Sequence, residues 1–256
     1  MSAYGAILRS NAASAGSLPA TLWPTRDPSL KLSVHHLTLS SALALPLDAS
    51  NSSLLDHLRS TFADLIEQGR TYPQEDIATF QKDGKGFESY FFAADVFIGV
   101  LEREDDASVG AEMQGTEGKF VSNEPGSEAS SVEKARKGRL WKEAVAGFYY
   151  VKPNYPGRSS HICNGGFVVV PIHRGLSLGL TLGKSYLYYA PKLGYKGSVF
   201  NLVYVNNVAS VKIWDRLGFT RAGLIPQAGR LRCAGEQGER GEEEYVDAIV
   251  FYKSFE

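Results

Sequence analysis

Two short segments carry residue types whose spacing could do chemistry. The first reads Pro171-Ile172-His173-Arg174-Gly175-Leu176-Ser177-Leu178-Gly179 and joins an apolar, β-branched run to a stretch with helical periodicity. A helix N-terminus presents unpaired N–H groups and a partial positive charge. Small residues let an anion approach those groups closely, and Arg174 adds a full charge beside them. Such a turn suits a pyrophosphate. The second segment is Asn207-Val208-Ala209-Ser210-Val211-Lys212-Ile213-Trp214-Asp215-Arg216-Leu217-Gly218-Phe219. Asn207 can cap a helix and donate to a ligand amide. Ser210 and Trp214 follow at i+3 and i+7 and share its face. An extended ligand arm laid there would meet polar groups, then a flat apolar surface. Gly218 stops the helix and Phe219 returns to the core.

The elements that must position these segments follow from periodicity. Leu30 to Leu39 alternates as a strand, with His35 and His36 on opposite faces as ordinary strand residues. Leu54, Leu55, Leu58, Phe62, Leu65 and Ile66 mark an amphipathic helix between N-cap candidates Asn51 to Ser53 and a stop at Gly69. Thr71 to Gln74 is a loop, since Pro73 holds Tyr72 extended, and a short helix is expected around Glu75 to Lys82. Tyr90 to Leu101, Val145 to Lys152, His161 to Val170 and Ser198 to Val205 read as strands. The third of these, apolar on both faces from Phe167, suits a central position. Asn154 to Gly157 is a turn, Arg174 to Leu193 and Ala209 to Leu217 are helices, and Ala222 to Ile225 and Tyr245 to Phe255 are closing strands around a polar stretch, 230–244. Residues 103–138, nearly devoid of large apolar side chains, are expected to be a disordered insertion. Residues 1–28 read as a disordered tail or a weak mitochondrial presequence, leaving one domain over 29–256. Interleaved helices and strands with some hairpins predict an α/β (α+β) fold with a mixed sheet flanked by helices.

Composition narrows the function. The net charge is −1, which opposes nucleic-acid binding. No apolar run reaches the roughly 18 residues a membrane span needs. Cys163 and Cys233 lie far apart with no metal-ligand spacing, so no metal is expected. Two reduced thiols point to the cytoplasm, with mitochondrial targeting as the alternative left open by the N-terminus.

Arg174-x-x-Ser177-x-Gly179, followed by the Asn207 to Phe219 run, resembles the two signatures of the GNAT N-acetyltransferase superfamily, in the same order and contexts. Over about 145–229 the chain is similar to the fungal acetyltransferases that act on L-azetidine-2-carboxylate and other proline analogues, and the upstream Gly69 to Gln74 also fits them. The resemblance implies a GNAT fold and direct acetyl transfer from acetyl-CoA to a small-molecule amine in a ternary complex, and it suggests a homodimer. It implies that backbone N–H groups of Arg174, Gly175, Ser177, Leu178 and Gly179 hold the pyrophosphate, although Ser177 stands where a glycine is usual. It implies that Phe167, Val168 and Val169 pair with pantetheine, that an N–H near Val168 receives the acetyl oxygen, and that Asn207, Ser210 and Trp214 border the arm. Asn164 and Asn201 match asparagines that hold a substrate carboxylate, and Tyr72 is expected to line the same pocket.

Trp214 occupies the position where many superfamily members carry a proton-donating Tyr, and an indole N–H is no such acid. His161, three residues before Asn164, is the candidate base for the acceptor amine. Two other readings stay open: a polyamine or protein N-terminus as acceptor, and a non-catalytic acyl-CoA-binding module.

Overall fold

The computed structural model describes residues 18–80, 85–103, 119–120, 128–233 and 242–256. Its strands are β1 (Thr21–Pro24), β2 (Leu30–Leu37), β3 (Asp95–Arg103), β4 (Lys119–Phe120), β5 (Val145–Pro153), β6 (Ile162–Asn164), β7 (Phe167–Val169), β8 (Gly197–Tyr204), β9 (Thr220–Arg232) and β10 (Glu243–Ser254). The helices are α1 (Leu39–Leu43), α2 (Leu54–Gln68), α3 (Gly86–Phe91), α4 (Glu128–Arg136), α5 (Trp141–Ala144), α6 (Leu178–Lys192) and α7 (Val208–Arg216). One sheet runs β4-β1-β2-β3-β5-β6-β8-β10-β9, with β7 also paired to β5. Among the described residues only β6 and β8 pair in parallel, so the sheet is mixed as expected.

The helices cover both faces. On one side α2 buries the six apolar residues that its periodicity predicted, and Phe62 meets Phe87, Phe91 and Phe148 in one cluster. Loss of such a ring costs roughly 3–5 kcal/mol. Ser53 and Asp56 form a reciprocal capping box at its start, and Gly69 ends it at φ 64°. On the other side Leu178, Leu182, Tyr186 and Tyr189 of α6 pack on Phe97 and Tyr149. His35 and His36 do face opposite layers: His35 bonds Ser33 and Ser131, while His36 bonds Asp95 and stacks on Phe97.

Several expectations are corrected. The expected tail over 1–28 is shorter, since Thr21–Pro24 is a strand in register with Lys31–Val34 and Trp23 is buried. Residues 1–17 lie outside the described residues. The expected strand at Tyr90 begins only at Asp95, because Gly86–Phe91 is helical and drives Phe87 and Phe91 into the core. Around Glu75 to Lys82 only a single 3-10 turn forms, Ala78–Phe80, with 81–84 outside the described residues. The insertion contains a short strand and α4, whose Val132 and Ala135 are buried against the sheet, although 104–118 and 121–127 are not described. The doubly covered central strand is β5, buried along nearly all its length. The polar stretch 230–244 holds the ends of β9 and β10, with 234–241 outside the described residues.

Candidate active site

The predicted strand 161–170 is broken at Gly165-Gly166, and that break creates the site. β6 and β7 share one register along β5, Lys152↔Asn164 at one end and Gly147↔Val169 at the other. A Cβ on Gly166 would fall 2.6 Å from the Tyr150 ring, so only glycine lets the chain cross there. β8 pairs with β6 at Cys163↔Ser198, but β7 has no pairing with β8, and the sheet opens between them.

Backbone polarity at the opening follows from register. Tyr150 N donates to Gly166 O at 3.3 Å and Val170 N to Ala146 O at 3.0 Å. Alternate residues of an antiparallel ladder face the partner, so Val168, opposite Phe148, is also committed to β5. The N–H groups facing the opening are therefore those of Phe167 and Val169. The N–H of Val168, expected to receive an acetyl oxygen, points the wrong way. The exposed edge is shaped to accept an extended amide-bearing arm as an added strand.

The cradle sits at the end of β7. The helix starts later than its periodicity suggested, because Gly175 takes φ 90° and Ser177 φ 59°. Ser177 N-caps α6 in the left-handed region with no side-chain cap bond. Arg174 N–H already donates to Pro171 O at 3.2 Å, so this residue offers its exposed guanidinium and not, as expected, its backbone. Among the described residues, the N–H groups of Gly175, Leu176, Ser177, Leu178 and Gly179 have no recorded acceptor. Five unpaired donors in sequence beside an arginine suit a pyrophosphate.

α7 supports this site more than it lines it. Asn207 caps α7 through Oδ1, which accepts from Ser210 N at 3.2 Å, leaving its Nδ2 free to donate. Trp214 is 5% exposed and packs on Phe167, Phe200 and Phe219 with ring centres 4.9, 4.4 and 5.3 Å away. Its Nε1 donates to Ser210 Oγ at 3.0 Å. Trp214 thus backs Phe167 and is itself buried, while half-buried Ser210 accepts its indole N–H. Gly179 and Gly183 permit this approach, since Cβ atoms there would lie 2.9 Å from Ile213 and 2.6 Å from Leu217.

The other face of the opening is polar. Asn164 Nδ2 donates to Asn154 Oδ1 at 3.0 Å, Asn201 Nδ2 donates to the same oxygen at 2.6 Å, and Asn154 Nδ2 returns a bond to Asn201 Oδ1 at 3.1 Å. Asn154 is buried at the end of β5 and holds the other two, each of which keeps one amide N–H to donate. Tyr72 reaches over this face and donates its hydroxyl to Phe167 O at 3.1 Å. Burial, and then the neighbouring Tyr90, push its pKa well up, so it stays protonated. Asn154, Lys152, Tyr90 and Tyr150 were not singled out from sequence. The signal was present: residues 150, 152 and 154 alternate onto the face of Asn164 once β5 and β6 are paired.

His161 does not join them. It is exposed in the turn that precedes β6, with Nδ1 3.1 Å from Arg158 O. It is not placed to take the amine's proton. Cys163 is buried against Tyr186, and burial pushes its thiol up to about 12, so no thiolate nucleophile arises. His173 underlies the turn before the cradle, with burial lowering its pKa. Among the described residues no group of three His, Cys, Asp or Glu could hold a metal, and no helix is long and apolar enough to cross a membrane.

Comparison with known proteins agrees with this geometry. The acetyltransferase (GNAT) family profile matches residues 119–219. The chain is 40% identical over 190 residues to N-acetyltransferase aca1 of Schizosaccharomyces pombe, covering 74% of this chain and 75% of that protein. It is 30% identical over 213 residues to Protein SPT10 of Saccharomyces cerevisiae, covering 79% of this chain but only 31% of that much longer protein. In fold it is similar to a GCN5-related N-acetyltransferase from Kribbella flavida, at TM-score 0.55 and 19% identity over 87% of this chain and 97% of that one. It is also similar to yncA of Salmonella typhimurium, a structure with its cofactor acetyl-CoA, at TM-score 0.52 and 12% identity over 87% of this chain and 94% of that one. An open sheet edge, a donor-rich helix start beside it and this relatedness along most of the chain lead to one assignment: the chain belongs to the acetyltransferase (GNAT) family and is an acetyl-CoA-dependent N-acetyltransferase.

Proposed function

We propose that the acceptor is a small imino or amino acid of the azetidine-2-carboxylate and proline type. The observation that carries this reading is the Asn154-Asn164-Asn201 cluster, in which Asn164 and Asn201 each use one amide N–H on Asn154 and keep the other to donate. Neutral amides of fixed orientation suit a compact carboxylate beside a ring nitrogen, and they offer little to a long polycation.

In this reading the pyrophosphate of acetyl-CoA rests on the N–H groups of residues 175–179 and Arg174. Its pantetheine lies along Phe167 and Val169. Acetyl-CoA supplies the activated thioester. The chain holds acceptor nitrogen and thioester together, which contributes much of the rate. A gap-facing N–H of β7 stabilises the oxygen that gains charge. The Trp214 indole is committed to Ser210, so α7 supplies no acid to the departing thiol.

The test is thiol release from acetyl-CoA by purified protein. L-azetidine-2-carboxylate and cis-4-hydroxy-L-proline are compared with spermine and a peptide N-terminus. Release with the imino acids alone is expected. Release only with spermine or the peptide overturns the reading.

A further inference from the structure

The acceptor face contains a cation that no acid answers. Lys152 lies directly across the ladder from Asn164, so both side chains leave the same face of the sheet. Its Nζ sits 4.0 Å from the Tyr90 ring centre and 4.1 Å from that of Tyr150, and it donates to Tyr90 O at 3.3 Å. That uses one of three donors. None of the ion pairs among the described residues includes Lys152.

The groups around it stay neutral. Tyr90 comes from α3, Tyr150 from β5, and Tyr72 from the loop after α2, and burial raises the pKa of each hydroxyl. Asn154 and Asn164 complete the surroundings as amides. Gln74 sits beside the Tyr90 hydroxyl, with its Oε1 buried and unpartnered among the described residues. A half-desolvated ammonium among neutral groups is costly, and an incoming anion relieves that cost.

We propose that Lys152 is the anion receptor of the acceptor site: its ammonium pairs with the acceptor's carboxylate, the spare Asn164 N–H binds the second oxygen, and the acceptor amine is thereby turned toward the β7 edge. This rests on the reading of the acceptor as a small carboxylate-bearing amine. Lys152 acts in binding and positioning and carries no proton of the chemical step. Burial lowers its pKa from 10.5 to about 8, so the receptor is charged below that pH and fades above it. Pairing with a carboxylate raises the pKa again, so binding between about pH 8 and 9 takes up a proton.

The experiment compares acids with their amides: L-azetidine-2-carboxylate with its carboxamide, and L-proline with L-prolinamide. Thiol release is followed from pH 6.5 to 9.5. Wild type is expected to favour the acids in kcat/KM, with KM for the acid rising above about pH 8. Lys152→Met keeps the apolar stem against the two rings. It is expected to raise the acid KM about tenfold or more, leave the acetyl-CoA KM in place and erase the preference for acid over amide. Lys152→Arg keeps a charge at every pH tested; it is expected to retain the preference and lose the rise above pH 8. Equal loss of kcat for acid and amide in Lys152→Met, with KM unchanged, overturns the proposal, as does a wild type indifferent to the carboxylate. If no imino acid turns over, the acceptor reading fails separately. Calorimetric titration of the CoA-bound wild type and Lys152→Met with the same acids and with acetate, at pH 7 and 9, then decides. Carboxylate binding that weakens at pH 9 and is lost in Lys152→Met sustains the receptor, and no carboxylate binding overturns it.

Discussion

The Tyr72 hydroxyl donates to the carbonyl oxygen of Phe167 at 3.1 Å, across the mouth of the opening between β7 and β8. That carbonyl belongs to the β7 edge proposed to carry the acetyl donor, while Tyr72 hangs from the loop after α2, edge-on to Phe62 at 4.9 Å. One hydrogen bond therefore ties the acceptor roof to the donor strand. A carbonyl has two lone pairs, so Phe167 can keep Tyr72 and still accept from a ligand amide.

Tyr72→Phe tests which side this bond serves. Deleting one hydrogen bond is worth on the order of 1 kcal/mol, about a fivefold effect. The expected outcome is a loss of that size in kcat/KM for the acceptor, with the acetyl-CoA KM within about twofold of wild type. Steady-state kinetics with each substrate varied in turn decides it. A change confined to the acetyl-CoA KM would place Tyr72 in donor binding instead.

Ser177 offers a test of the cradle. Its φ of 59° is strained for any residue with a Cβ, and its hydroxyl makes no compensating cap bond. Relief of left-handed strain by glycine, less the entropy that glycine adds to the unfolded chain, leaves a gain of roughly 0.5–1 kcal/mol. Ser177→Gly is expected to raise the unfolding free energy by that amount, read as a higher urea midpoint at unchanged m, and to lower the acetyl-CoA KM, because the N–H groups become easier to approach. A lower midpoint would mean that the serine side chain has a role of its own.

Asn164 and Asn201 share one acceptor, Asn154 Oδ1, so substitutions of Asn154 and Asn164 should not add. Asn164→Ala is expected to raise the acceptor KM while leaving acetyl-CoA affinity nearly intact. Asn154→Ala frees Asn164 and Asn201 together and is expected to raise it at least as far, without touching the acceptor itself. The double variant should be little worse than Asn154→Ala. A double-mutant cycle on the acceptor KM measures this, and full additivity would show that the two residues work independently.

How much of this was legible depended on whether a signal was local. The α2 face, from Leu54 to Ile66, follows from 3.6-residue periodicity, and Ser53 and Gly69 bound it by cap chemistry alone. The order of α6 and α7 and the donor-rich turn between Val170 and Leu178 were equally local. The helix at Gly86–Phe91 was not: its aromatic run has strand propensity, and the helix is favoured by the long-range packing of Phe87 and Phe91 on Phe62. The three asparagines lie on different segments, and only the β5–β6–β8 pairing brings Asn154 between Asn164 and Asn201. Trp214 was mistaken for a ligand surface because helical spacing gives a face and not what covers it. His161 stays apart for a related reason: it sits in the exposed turn before β6, where nearness in sequence to Asn164 does not bring the two side chains together.

The last prediction concerns acid. His35 and His57 are held neutral, burial lowering each from 6.5 to about 4, with repulsion from His173 a secondary cause at His57. Below about pH 6.5 the unfolded chain takes up protons that these imidazoles refuse in the fold. Stability therefore falls as pH drops from 6.5 toward 4 and levels off below it. At pH 5 each site contributes about 2 kcal/mol of destabilisation relative to pH 7. His35→Gln and His57→Gln each remove one titrating group and are expected to flatten the decline, at some cost in stability at pH 7 from imperfect packing. Urea midpoints at pH 7 and pH 5 for wild type and both variants give the comparison. An unchanged difference between the two pH values in both variants would show that carboxylates, and not these buried histidines, govern the acid limb.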